Sequence, residues 1–134
     1  MNYWLVKQEP ESYSFEMFQK EGKTDWTGVR NYTARNNLKA MKSGDKVFYY
    51  HSGGERAVVG LAKVSKTYFP DPTADEDGWV AVELEAGKAV KNPVTLAAIK
   101  ANPKLANMAL VKLSRLSVSP VTKEEFDEIS AMSK

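Results

Sequence analysis

Many of the links between the runs of β-branched and aromatic residues in this chain are too short to hold crossover helices. Lys46–Ser52 (KVFYYHS) and Ala57–Val64 (AVVGLAKV) both read as strands, and Gly53-Gly54 supplies a turn between them, so the pair is expected to form a hairpin. Tyr3–Lys7 (YWLVK) reads as an earlier strand. Trp79–Glu85 (WVAVELE) reads as a later one, with Val80, Val82 and Leu84 on one face and Trp79 on the other, more polar face. Leu110–Val118 reads as the last strand, broken by Pro120. A parallel pair needs a crossover of roughly a dozen residues or more, so this punctuation restricts the chain to a mixed or antiparallel sheet. The fold class that follows is α+β, with five or six strands in a small curved sheet or partial barrel flanked by short helices.

The helices carry their own signals. Ser14 can cap FEMFQKE, which Gly22 ends. Ala34, Leu38 and Met41 recur at helical spacing over Tyr32–Met41, and Ser43-Gly44-Asp45 closes that helix with turn chemistry. Residues 94–102 and 104–109 read as short helical turns after Pro93. Thr122 with Glu125 forms a capping box, and Val121 with Phe126 is spaced as a hydrophobic staple. Residues 68–78 (YFPDPTADEDG) read as a loop. Gly60 inside its strand is expected only where another group packs close against the backbone. No repeat or linker-like stretch divides the chain, so one domain over residues 1–134 is expected.

Composition removes several functions. The chain has no Cys, which excludes a disulfide framework and a thiolate metal site and suits a reducing compartment, so a cytoplasmic location is expected. Its single His, His51, makes a histidine metal site a poor fit; neither metal nor cofactor is expected. The N-terminus lacks the charge and apolar pattern of a signal peptide, and no segment approaches the ~20 apolar residues of a membrane span. A net charge of +2 is too small for a polybasic binder. The charge is uneven, however: Arg30, Arg35, Lys39, Lys42 and Lys46 stand against Asp45 alone, either facing an anion such as phosphate or forming a solvated helix face.

Catalytic constellations are thinly supplied. His51 precedes Ser52, and neighbouring strand residues point to opposite faces, so the pair is a poor dyad. There is no glycine-rich phosphate loop, and the carboxylates from Asp71 to Asp77 read as a solvated loop before they read as a metal site. An acid–base pair among Glu9, Glu11, Asp25 and Asp71 stays open. Binding chemistry is richer. Residues 25–37 (DWTGVRNYTARNN) concentrate a ring on which a base can stack, amides that read base edges and guanidinium groups that hold phosphates. Two readings of this stretch stand side by side: a ligand wall, or Trp26 plugging the interior of the sheet while Asn31 caps the following helix. Trp4 shares a strand face with Val6 and is assigned to the core, whereas Trp79 is left open.

YWLVKQEPE, WTGVRNYTARNNLKAMKSGDKVFYYHS, VVGLAKV, YFPDPTA and LVKLSRLSVSPVT, taken in this order over nearly the whole chain, resemble the EVE domain family. Gln8 stands where the family pattern has Ser. The resemblance implies a PUA-like fold, kinship to the YTH domains that read methylated adenine, and a role in reading modified bases, chiefly modified cytosine in DNA. It implies that Trp26 walls a pocket for an extruded base, that Arg30, Asn31 and Asn36 bond the base or its phosphate, and that Tyr50, His51 and Ser52 line the opposite wall or rim. Strand alternation places His51 on the other face from Tyr50 and Ser52. Lys7, Glu9, Tyr32, Arg35, Pro70, Asp71 and Arg115 lie in the matching blocks as a second rank of binding residues. The expected function is a non-enzymatic reader of modified DNA or RNA in a bacterial protein. The alternatives are an enzyme acting on a nucleotide or damaged base, and a small-molecule binder using the same pocket.

Overall fold

A computed structural model describes residues 1–134. Six strands form one sheet: β1 (Tyr3–Gln8), β2 (Lys23–Trp26), β3 (Lys46–His51), β4 (Ala57–Pro70), β5 (Val80–Thr95) and β6 (Val118–Val121), in the order β2-β5-β4-β3-β1-β6. Only β1 and β3 run parallel; every other neighbouring pair is antiparallel. The sheet is therefore mixed, within the expected mixed or antiparallel class; the parallel pair is joined by the long link that holds α1, α2, β2 and α3. It stays open between the edge strands β2 and β6 instead of closing into a barrel.

Helices cover both faces. On one face lie α1 (Pro10–Tyr13), α2 (Phe15–Glu21) and α3 (Tyr32–Ala40); Phe15, Phe18, Ala34 and Leu38 meet Trp4, Val6, Val47 and Tyr49 there. On the other lie α4 (Leu96–Ala101), a 3₁₀ turn (Pro103–Leu105), α5 (Ala109–Lys112) and α6 (Lys123–Met132), whose Ile99, Leu105, Leu110, Phe126 and Ile129 meet Leu5, Phe48 and Tyr50. Strands buried on both faces read as unbroken apolar runs, which accounts for YWLV and VFYY. Ser14 caps α2, and Thr122 with Glu125 forms the capping box of α6. Gly60 has the close neighbour its place in a strand demands: a Cβ there would lie 2.2 Å from Phe15 Cζ. Asp45, in the turn after α3, is buried and accepts from the Asn2 N–H, Trp4 Nε1 and the Lys42 N–H at 2.9–3.1 Å.

Three boundaries differ from expectation. β4 continues through Tyr68, Phe69 and Pro70, and β5 continues to Thr95. Four register shifts interrupt their pairing, so polar residues enter the ladder without a regular alternation that could announce them. The last strand is Val118–Val121, not Leu110–Val118. Ala109–Lys112 is a turn of helix that buries Leu110. Pro120 lies within β6 because β6 is an edge strand, where a missing N–H costs no ladder bond.

Candidate functional site

The stretch from Trp26 to Asn31 links β2 to α3 and is pegged at both ends, since Trp26 and Val29 are buried. Between them Gly28 turns the chain at φ 82°, a conformation that favours glycine. Its N–H donates to Asp71 Oδ2 at 2.8 Å. The Asp71 carboxylate is fully buried and also accepts from Arg30 Nη1 at 2.9 Å and from both the N–H and the hydroxyl of Thr73 at 2.7 Å. Burial alone would raise the pKa of Asp71, but the hydrogen bonds from Thr73, Gly28 and Arg30 outweigh it and hold the group at about 2. The ionised carboxylate locks Arg30 in place.

Trp26 lies in the core, beside a small depression. The ring is only 6% exposed and packs edge-on against Tyr49, with ring centroids 5.7 Å apart. Its remaining surface lines a depression of about 180 Å³ with Gln8, Tyr13, Thr24, Asp25 and Thr27. That volume lies below the roughly 300–1,000 Å³ of drug-sized sites and suits one planar ring. Gln8 Oε1 accepts the Glu9 N–H at 3.0 Å, which leaves the amide NH₂ as the donor group. The Tyr13 hydroxyl donates to Glu21, and its pKa is raised by burial and then by that carboxylate. Asn31 caps α3, accepting from the Ala34 N–H at 3.0 Å.

The remaining expected residues separate into groups. Asn31 and Arg115 line a second depression of about 360 Å³ with Ser114. Lys7, Tyr50 and Ser52 line a third cavity, of about 400 Å³, on the opposite face of the sheet from Trp26. They therefore form no wall across from Trp26; the alternation of β1 and β3 sends them the other way. His51 points back to the Trp26 face but is used internally. Its Nε2 accepts the Phe15 N–H at 3.1 Å, and burial lowers its pKa. Arg30 and Arg35 cluster with Tyr32 and Trp79. Tyr32 is 66% exposed and stacks on Trp79 at 5.2 Å, with the Arg35 guanidinium 4.9 Å from the Tyr32 ring. Asn36 accepts from Arg35 at 3.3 Å. Glu9 is an exposed residue at the start of α1, and Pro70 is exposed at the end of β4.

The basic run of residues 30–46 is not one patch, because Lys39 sits over Tyr68 whereas Lys46 sits over Phe126 across the sheet. Tyr13, Thr24 and Thr27 escaped the sequence reading. Tyr13 and Thr24 lie outside the Trp26 stretch, and only the tertiary fold brings them together with Gln8 at the depression. No group of three or more His, Cys, Asp or Glu side chains is placed to hold a metal ion, and no helix is long and apolar enough to cross a membrane.

Residues 2–132 match the EVE domain model, and the chain belongs to the EVE domain family. Human thymocyte nuclear protein 1 is 35% identical over 98% of this chain and 73% of its own length. A crystal structure of an Agrobacterium tumefaciens protein superposes with a TM-score of 0.96 at 49% identity, covering 99% of this chain and 93% of that one. The crystal structure of human thymocyte nuclear protein 1 in complex with DNA containing 5-methylcytosine superposes with a TM-score of 0.93 at 33% identity, covering 100% and 98%.

Proposed function

We propose that this protein binds DNA carrying a modified base, with modified cytosine foremost, and accepts the extruded base beside Trp26 without transforming it. The observation that carries the reading is the Trp26 depression, sized for a single ring and bordered by the loop that presents Arg30 and Asn31. Its lining suits cytosine. The Gln8 amide can donate to a ring acceptor, and the polar edge from Thr24 to Thr27 borders the base. Extrusion costs a few kcal/mol. Hydrogen bonds to the base edge at about 1 kcal/mol each, contact with the exposed edge of Trp26 and phosphate contacts along the strand work together against that cost. The similarity to human thymocyte nuclear protein 1, solved with 5-methylcytosine DNA, supports the same ligand class. RNA bearing the same base offers the same edge, and work on nucleic acid in the cytoplasm of a bacterial cell belongs to the same proposal.

The test is a fluorescence anisotropy titration at low and moderate salt. The probes are short DNA and RNA oligonucleotides with cytosine, 5-methylcytosine, 5-hydroxymethylcytosine or N6-methyladenine, each single- and double-stranded. A preference for one modified cytosine that persists at moderate salt is expected, with no change in probe mass after incubation. Equal, salt-sensitive binding to all probes would sink the reading.

A further inference from the structure

The cavity on the other face of the sheet has a different chemistry. Lys7, Arg56 and Lys100 line it, over a floor of Tyr50, Leu96, Leu110 and Val111, and no acidic residue contributes to the lining. None of the three cations takes part in any of the protein's ion pairs. Lys7 is half-buried on β1, and its ammonium has one protein acceptor, the Ser114 carbonyl at 2.7 Å. Two exposed cations, Arg56 and Lys100, and the half-buried Lys7 thus converge on one partly apolar recess with no carboxylate among them, a concentration of positive charge that favours an anion.

We propose that this cavity is an anion seat for a phosphate group carried on a planar or apolar body. The phosphate meets Lys7, Arg56 and Lys100, and the body lies against Tyr50 and Leu110. Burial lowers the pKa of Lys7, and an anion beside it would act against that shift and favour the charged form. Ser52 adds a hydroxyl at the rim. Two sources offer the same chemistry: a phosphodiester of the strand whose base enters the Trp26 depression, or a free phosphorylated nucleoside. The first source rests on the base-reading function, but the seat itself does not. Gln8 lines the depression while the adjacent Lys7 lines the seat, so a strand passing over the ends of β1 and β3 can reach both.

The experiment is an amide NMR titration with inorganic phosphate, thymidine 5′-monophosphate and unphosphorylated thymidine. It uses the wild type and the double variant Arg56→Glu/Lys100→Glu, whose altered positions are both exposed and whose melting temperature verifies folding. The nucleotide should shift the Lys7, Tyr50, Ser52 and Ser114 amides. Thymidine should not, and the double variant should lose the response. In parallel, the salt dependence of oligonucleotide binding separates the sources. If the strand supplies the phosphate, the double variant flattens the slope by about one to two, the value for one or two lost phosphate contacts. If a free nucleotide is the ligand, the slope is unchanged while wild type alone still answers to the nucleotide. No shift at the seat with any phosphate, or identical shifts in the double variant, overturns the proposal. Equal binding of modified and plain oligonucleotides would overturn base reading and leave the seat standing.

Discussion

Gln8 and Lys7 are neighbours in β1, yet they end in opposite kinds of surroundings. Gln8 joins a neutral to acidic depression of about 180 Å³ built on the core that holds Trp26 and Tyr49. Lys7 joins a cavity of about 400 Å³ with three cations, built on the core that holds Tyr50 and Leu110. The difference follows from the two-residue period of a strand in a sheet buried on both faces: each step along β1 exchanges one environment for the other. A base edge is neutral and presents an amine and a ring acceptor, whereas a phosphate is an anion. The two recesses divide those two chemistries between them, and each can be altered alone.

The largest effect expected falls on the Trp26 side. Trp26→Ala removes a buried ring and should destabilise the fold by about 3–5 kcal/mol, as aromatic-to-alanine changes in cores do. Urea denaturation measures it. A loss under about 1 kcal/mol would show that the ring is a ligand wall with little structural duty. A smaller and pH-dependent effect belongs to Asp71. Its folded pKa of about 2 lies below the ordinary 3.8, so its contribution is present above the ordinary value and lost as pH falls through the folded one. The depression corresponds to about 2 kcal/mol, and the side chain is fully buried, so screening removes little of it. Unfolding curves from pH 6 down to about pH 2 should show wild type losing roughly that much more than Asp71→Asn, which lacks the titrating group. Parallel pH profiles would mean that Asp71 is unpaired in solution and that the loop holding Arg30 is loose.

Much of this arrangement was legible in the chain. The Gly53-Gly54 turn, the apolar runs of β1 and β3, the Ser14 cap and the Thr122–Glu125 box all act locally, and each is found where its chemistry places it. Link lengths excluded an all-parallel sheet but did not choose between mixed and antiparallel. The long ladder between β4 and β5 was only half visible, because bulges erase the alternation that marks a strand. Leu110–Val118 misled for a related reason: a short apolar run satisfies a strand or a turn of buried helix equally well, and the core beneath decides. The EVE-like blocks drew Trp26, Tyr50, His51 and Ser52 into one pocket. Alternation already warned that His51 leaves Tyr50 and Ser52, but the separation of all three from the Trp26 recess depends on which helices cover which face. Trp79 is the stacking partner of Tyr32, a pairing between residues 47 positions apart that no local pattern announces.

The mildest change is the sharpest test of the division between the two recesses. Gln8 presents its amide NH₂ at the depression while its carbonyl oxygen holds the Glu9 N–H. Gln8→Ala removes one donor to a neutral acceptor, a loss of ~0.5–1.5 kcal/mol, so affinity for the preferred modified oligonucleotide should fall by about two- to tenfold. Gln8→Ser, which installs the residue of the EVE pattern, keeps a shorter donor and should fall between the two. Phosphate binding at Lys7 should be untouched in both, because the side chains at positions 7 and 8 lie on opposite sides of the sheet. Anisotropy reads the first quantity and amide shifts the second. If both fall together in Gln8→Ala, the recesses are coupled through the backbone of β1, and the protein has one continuous site folded around a strand end. If only the first falls, the sheet insulates base recognition from anion binding.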